Sequence, residues 1–175
     1  MLIVMAGLPG TGKSTLAGRL ADALPAVVLS KDVVRAALFP PPVLDYSPAQ
    51  DEIAMTAIYH AAELILRTNP RQHVILDGRT FRKRGQWAPV QKLVAVVNVP
   101  LAVLECVCSD DIACQRIAED ARIGTHLAKN RTPWLYFQVQ AEAVPLAVPR
   151  LTLDTGILPL EDCVRQAMAY VQSMG

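Results

Sequence analysis

One short stretch near the start of the chain has the residue types and spacing to hold a polyphosphate: Gly7-Leu8-Pro9-Gly10-Thr11-Gly12-Lys13-Ser14. It satisfies G-x-x-x-x-G-K-[ST] at every specified position. A polyphosphate needs backbone N–H donors brought close, and glycines clear side chains from that approach. Lys13 offers a mobile cation for the β- and γ-phosphates, and the Ser14 hydroxyl is placed to ligate Mg²⁺. Thr15, next in line, belongs to the same candidate nucleotide-binding set. A helix beginning near Lys13 would add its unpaired amides and positive dipole end. The competing explanation is a chance glycine turn between a strand and a helix, so the flanks matter.

The flanks are what the motif requires. Leu2-Ile3-Val4-Met5-Ala6 is a continuous apolar run, as expected of a parallel strand buried on both faces. Over 13–24, Leu16, Leu20 and Leu24 recur at helical spacing with Ala17 and Ala21 beside them, while Arg19 and Asp22 fall off the stripe. Further strands are expected over 26–30, 73–77, 101–108 and 151–154. Helices are expected after Asp32, over 49–67 with Asn69-Pro70 as the stop, and over 82–96. Another runs from a Ser109-Asp110-Asp111 cap to a Gly124 stop, one opens at Thr132-Pro133, and one closes the chain over 160–174. The prolines of 39–48 rule out regular structure there and suggest an ordered loop, or a lid over an acceptor pocket.

Strands alternating with helices imply an α/β fold, a five-stranded parallel sheet with helices on both faces. Ligands bind such sheets beyond the carboxyl ends of the strands. The glycine-rich loop, Asp32, Asp77 and the residues after Cys108 and Asp154 should therefore converge on one edge.

Composition narrows the classes. With 175 residues, 52% of them hydrophobic, the chain can bury a sizeable core as one domain, 1–175. Seventeen Lys and Arg stand against 16 Asp and Glu, so no basic excess points to a polynucleotide partner. The N-terminal apolar run is too short to span a membrane and lacks a basic leader. Cys106, Cys108, Cys114 and Cys163 form no C-x-x-C pair and read as free thiols in a reducing, cytoplasmic setting. His60, His73 and His126 are isolated and make no metal-ligand pattern. Arg82, Lys83 and Arg84 would oppose the dipole of the helix over 82–96, which invites either a functional role or a solvated helix start.

With the motif, Asp32, Arg35, Asp77 and the later arginines assembled, the chain resembles the P-loop kinases that phosphorylate a hydroxyl. This AAA-type group contains polynucleotide 5′-kinases, zeta toxins, gluconate kinases and chloramphenicol phosphotransferases. The likeness runs from Leu2 through Gly156, with the loop as its most specific part. It implies a three-layer P-loop NTPase fold with a helical lid over about 109–131, and ATP and Mg²⁺ as cofactors. In the 5′-hydroxyl kinases an acid after the second strand takes the acceptor's proton, and an arginine three residues later grips the acceptor. Asp32 and Arg35 match that spacing, and phosphoryl transfer does need such a carboxylate late in the reaction; a plain helix cap is the alternative for Asp32.

The resemblance also implies an arginine-bearing lid after the fourth strand. Arg116 and Arg122 match it in position, Arg131 more loosely, and surface ion pairs are their alternative role. Asp77 resembles the acid that positions Mg²⁺ through water, alongside Ser14. Gly78 follows where mechanical ATPases place a water-activating glutamate, and no N-K-x-D guanine-reading motif occurs. Arg79 and Arg84 are further candidates for contacts to the acceptor. The expectation is an ATP- and Mg²⁺-dependent phosphotransferase acting on a hydroxyl of a small molecule, without a membrane partner. A polynucleotide 5′-hydroxyl kinase and a non-catalytic ATP-binding module are the alternatives.

Overall fold

The computed structural model describes residues 1–124 and 127–175. Five strands, β1 (Leu2–Ala6), β2 (Ala26–Ser30), β3 (His73–Asp77), β4 (Leu101–Val107) and β5 (Leu151–Asp154), form one sheet in the order β2-β3-β1-β4-β5. Every pairing is parallel. β1 is the central strand and all its residues are buried, which is why it reads as an unbroken apolar run. Among the described residues seven α-helices accompany the sheet: α1 (Lys13–Ala23), α2 (Lys31–Leu38), α3 (Pro48–Thr68), α4 (Trp87–Val97), α5 (Asp110–Ile123), α6 (Pro133–Ala141) and α7 (Leu160–Ser173).

Alternate residues of β1 feed the two faces. Ile3 and Met5 pack with Leu16, Leu20, Ala167 and Val171, so α1 and α7 cover one side. Leu2 and Val4 pack with Met55, Ile58, Val90 and Leu93, so α3 and α4 cover the other. Truncating a fully buried leucine such as Leu16 to alanine would cost about 2–5 kcal/mol. A smaller cluster of Leu8, Ala113, Ile117 and Tyr136 seats α5 and α6 against the glycine-rich loop.

Local signals mostly place the elements as expected. Ser109 and Thr132 cap α5 and α6 by accepting from Ile112 N and Leu135 N, and Gly124 ends α5 in the left-handed region. Two expectations change. The fourth helix begins at Trp87 rather than at 82, because Gly85 takes φ 81° and turns the chain out of helical geometry. Arg82, Lys83 and Arg84 therefore stand in a loop, and their conflict with a helix dipole disappears. The proline-rich stretch does contain one 3₁₀ turn, Pro41–Val43, held by buried Gln50, whose Nε2 donates to Val43 O at 2.7 Å. Among the described residues no helix is long and apolar enough to cross a membrane.

Candidate active site

All five strands deliver residues to one sheet edge, and the glycine-rich loop lies at its centre. Gly7 takes φ 127°, and a Cβ there would stand 2.2 Å from Cys106 O, so only glycine lets the loop pass β4. Thr11 Oγ1 donates to Leu8 O at 2.8 Å, and Lys13 Nζ donates to the same carbonyl at 2.6 Å. Burial pushes the Lys13 ammonium below its ordinary pKa, with the Asp77 carboxylate pulling the other way. α1 starts at Lys13 without a side-chain cap, so its first amides face outward for an anion. Ser14 and Thr15 are exposed in that first turn.

Asp77 ends β3 and is 3% exposed, and its Oδ1 has no hydrogen-bond partner among the described residues. An orphaned buried carboxylate oxygen is costly, and a hydrated cation would satisfy it. Together with the Ser14 hydroxyl, this donor set fits a divalent metal. Gly78 follows at φ 108°, where a Cβ would come within 2.6 Å of Lys31 Cβ. A water-activating glutamate has no room at that position.

Two cavities open beyond this edge, and Lys13, Ser14 and Arg131 line both. One, of about 430 Å³, is lined by Asp32, Arg35, Tyr46, Asp51, Arg79 and Lys83 among others. The other, of about 580 Å³, is lined by Thr15, Arg116, Thr155, Leu158 and Leu160.

In the first cavity Arg35 organises carboxylates. It is 4% exposed, its Nη2 donates to Asp32 Oδ1 at 2.6 Å, and its Nη1 donates to Asp51 Oδ1. Lys31 Nζ completes the set by donating to Asp51 Oδ2 at 2.7 Å. The Tyr46 ring covers the guanidinium 4.7 Å from its centroid. Tyr46 Oη also donates to Leu127 O at 3.4 Å and accepts from Lys129 N at 3.1 Å, tying the proline-rich loop to the segment after α5. Asp51 escaped the sequence reading because an acid in a helix's first turn is favourable anywhere.

The basic run after β3 divides. Arg79 lines the Asp32 cavity and pairs with Glu52, and Lys83 lines it and pairs with Glu142 at 2.5 Å. Arg82 turns away, donating from Nε to Val144 O at 3.2 Å. Arg84 is exposed and lines neither cavity.

The arginines after β4 divide as well. Arg116 donates from Nη1 to Thr155 Oγ1 at 2.9 Å and from Nη2 to Thr155 O at 2.8 Å. Thr155 Oγ1 in turn donates to Thr11 O at 3.0 Å, so the pair braces the glycine-rich loop against the turn after β5. Arg122 departs from its expected position: six residues carry it ~240° around the helix. Its side chain is 72% exposed, bonded to Glu119 and outside both cavities. Arg131 stands at the junction of the cavities, 3.3 Å from Asp120.

All four cysteines are free, with Cys106 and Cys163 buried. Burial pushes the Cys106 thiol up to about 12, which keeps it protonated and inert. Trp134 and Phe137 are exposed. His60 and His73 line neither cavity, and His126 lies outside the described residues.

The sheet order and the loop at its central strand define a P-loop NTPase-like α/β protein. The AAA domain model AAA_33 matches residues 2–132, and the chain belongs to that family of P-loop kinases. No curated protein sequence matches it. Among solved structures, a presumptive kinase from Chloroflexus aurantiacus is 26% identical over 97% of both chains, with a TM-score of 0.77. Chaetomium thermophilum Kti12 in complex with ADP-AlF3 is 19% identical over 99% of this chain and 98% of its own, with a TM-score of 0.74. A gluconokinase from Sinorhizobium meliloti is 20% identical over 98% of this chain and 91% of its own, with a TM-score of 0.64.

Proposed function

We propose that this protein transfers the γ-phosphate of ATP to a hydroxyl group of a small molecule. The observation that carries the reading is the meeting of two cavities at Lys13, Ser14 and Arg131, with Asp32 lining the first and not the second. Residues 7–15 bind the phosphates, and Lys13 exchanges Leu8 O for a phosphate oxygen. The nucleoside lies in the Thr155 cavity. Mg²⁺, when bound, neutralises charge on the phosphate oxygens, and Ser14 and Asp77 are the residues that would hold it.

Asp32, fixed by Arg35, accepts the hydroxyl proton as the acceptor oxygen bonds to the γ-phosphorus and the bond to the β-phosphate oxygen breaks, releasing ADP. Arg131 compensates charge on the transferring group, and Arg116 acts through the loop it braces. Arg35 serves the acceptor by holding Asp32, and Arg79 contacts the acceptor directly. The segment 109–131 acts as the lid within a single 1–175 domain, and free thiols suit a reducing cytoplasm. The ADP-AlF3 complex among the structural neighbours supports nucleotide binding on this fold, and the gluconokinase supports a compact alcohol as acceptor.

The D-x-x-R spacing also keeps a polynucleotide 5′-hydroxyl kinase in view, and a non-catalytic module would not need both Asp32 and Asp77. ADP release against a panel of hydroxyl compounds, a 5′-hydroxyl oligonucleotide and water separates the three. Stimulation by small alcohols supports the proposal, stimulation by the oligonucleotide alone replaces the acceptor, and stimulation by none contradicts transfer.

A further inference from the structure

The charges lining the Asp32 cavity are not evenly committed. Asp32 and Asp51 are matched by Lys31 and Arg35 in a partly buried network whose members hold one another. Arg79 is different. Its side chain is 10% exposed, while its partner Glu52, which lines the same cavity, is 61% exposed. Among the described residues Lys83 is matched by the exposed Glu142, which does not line the cavity. Exposed ion pairs contribute little and exchange readily. A ligand anion can therefore replace Glu142 on Lys83 at small cost, and at Arg79 it can take the place of the exposed Glu52 carboxylate and meet a cation that burial keeps oriented.

The support under these cations is rigid. Phe81, 1% exposed and at φ 53°, is buried in the core between Arg79 and Lys83 and packs on Trp87 at 5.3 Å. Trp87 Nε1 donates to Phe81 O at 2.9 Å, and Thr80 O accepts from Gly7 N at 3.0 Å, which ties this loop to the phosphate loop. Gln86 also lines the cavity. Its Oε1 accepts from Thr80 Oγ1 and Lys83 N, both at 3.2 Å, and its Nε2 has no partner among the described residues.

We propose that the Asp32 cavity contains a subsite for an anionic group, a phosphate or a carboxylate, built by Arg79, Lys83 and Gln86. Resting on the kinase reading, this makes the acceptor a compact hydroxyl compound that carries one negative group at the end remote from the reacting hydroxyl.

The test uses the full chain saturated with a non-hydrolysable ATP analogue and Mg²⁺, so that the phosphate loop is filled. Inorganic phosphate is titrated at constant ionic strength against chloride, and the thermal midpoint is followed. A saturable rise is expected. It should weaken at least ~10-fold when Arg79→Gln and Lys83→Gln remove two charged donors, and by a smaller factor in Lys83→Gln alone. Glu52→Gln should instead tighten it ~2–5-fold, the worth of an exposed ion pair. No rise above the chloride control, or an equal rise in the double variant and the wild type, overturns the subsite.

ADP release is then compared within matched sets: glycerol, glycerate and glycerol 3-phosphate; sorbitol, gluconate and sorbitol 6-phosphate. In any set that turns over, the charged members should show the higher kcat/KM, Lys83→Gln should reduce the advantage, and the double variant should erase it. The better of carboxylate and phosphate identifies the group. Equal use of neutral and charged members sinks this inference and leaves the kinase reading intact. Phosphate binding with no set turning over sinks the kinase reading and leaves the anion site standing.

Discussion

The two sides of the sheet edge are built by opposite means. The side around the glycine-rich loop is made by backbone from one contiguous stretch: glycines at positive φ, a helix N-terminus and a lysine one residue inside it. The Asp32 side is made by side-chain pairs drawn from separate stretches. Lys31 and Arg35 come from α2, Tyr46 from the proline-rich loop, Asp51 and Glu52 from α3, and Arg79 and Lys83 from the loop after β3. Backbone geometry fixes one ligand shape, that of a polyphosphate. Side-chain pairs can be exchanged singly without disturbing the sheet, so this is the half in which a shared fold can change its acceptor.

Substitutions on the two sides should therefore fail in different ways. The largest effect is expected from Lys13→Ala, which leaves the fold intact and abolishes detectable transfer. The thermal shift produced by ATP should shrink towards zero, because ligand stabilisation follows affinity. Asp32→Asn keeps an oxygen for Arg35 but cannot accept a proton. Its kcat should fall ~10²–10⁴-fold with ATP affinity unchanged. Loss of ATP binding in this variant would assign Asp32 to the nucleotide side instead.

Arg131→Ala should lower kcat by up to ~10³-fold, the scale of an arginine supplied in cis. Arg122→Ala should remain within about twofold of wild type, as befits an exposed ion pair. A reversal of that order would mean that α5 reorients when the lid closes. The smallest effect belongs to Thr155→Val, which removes the hydroxyl between Thr11 O and Arg116. The loss of about 1 kcal/mol for such a hydrogen bond should appear in KM for ATP and leave KM for the acceptor unchanged.

The same contrast explains what the sequence disclosed. The loop, the strand ends at Asp32 and Asp77, and the caps at Ser109 and Thr132 each depend on neighbours within a few residues. Sequence spacing therefore located them. Arg122 and Arg131 could not be told apart that way, since their difference is which face of α5 looks inward and where the chain goes after Gly124. Asp51 and Lys83 gain meaning only when α3 and the loop after β3 are brought against α2. The helix start at Trp87 was hidden because 82–86 has acceptable helical composition apart from Gly85, whose left-handed turn decides the matter.

If the chemistry joins the two cavities, the γ-phosphate must leave ATP for the acceptor hydroxyl, and its fate can be followed. ATP labelled at the γ-position is incubated with the protein and the hydroxyl compounds that stimulate ADP release, and the products are separated. Transfer between the cavities predicts that label leaves ATP as a phosphate ester of the added compound, with little inorganic phosphate, and that Asp32→Asn suppresses the ester. Label recovered only as inorganic phosphate, at one rate with or without any hydroxyl compound, would contradict it.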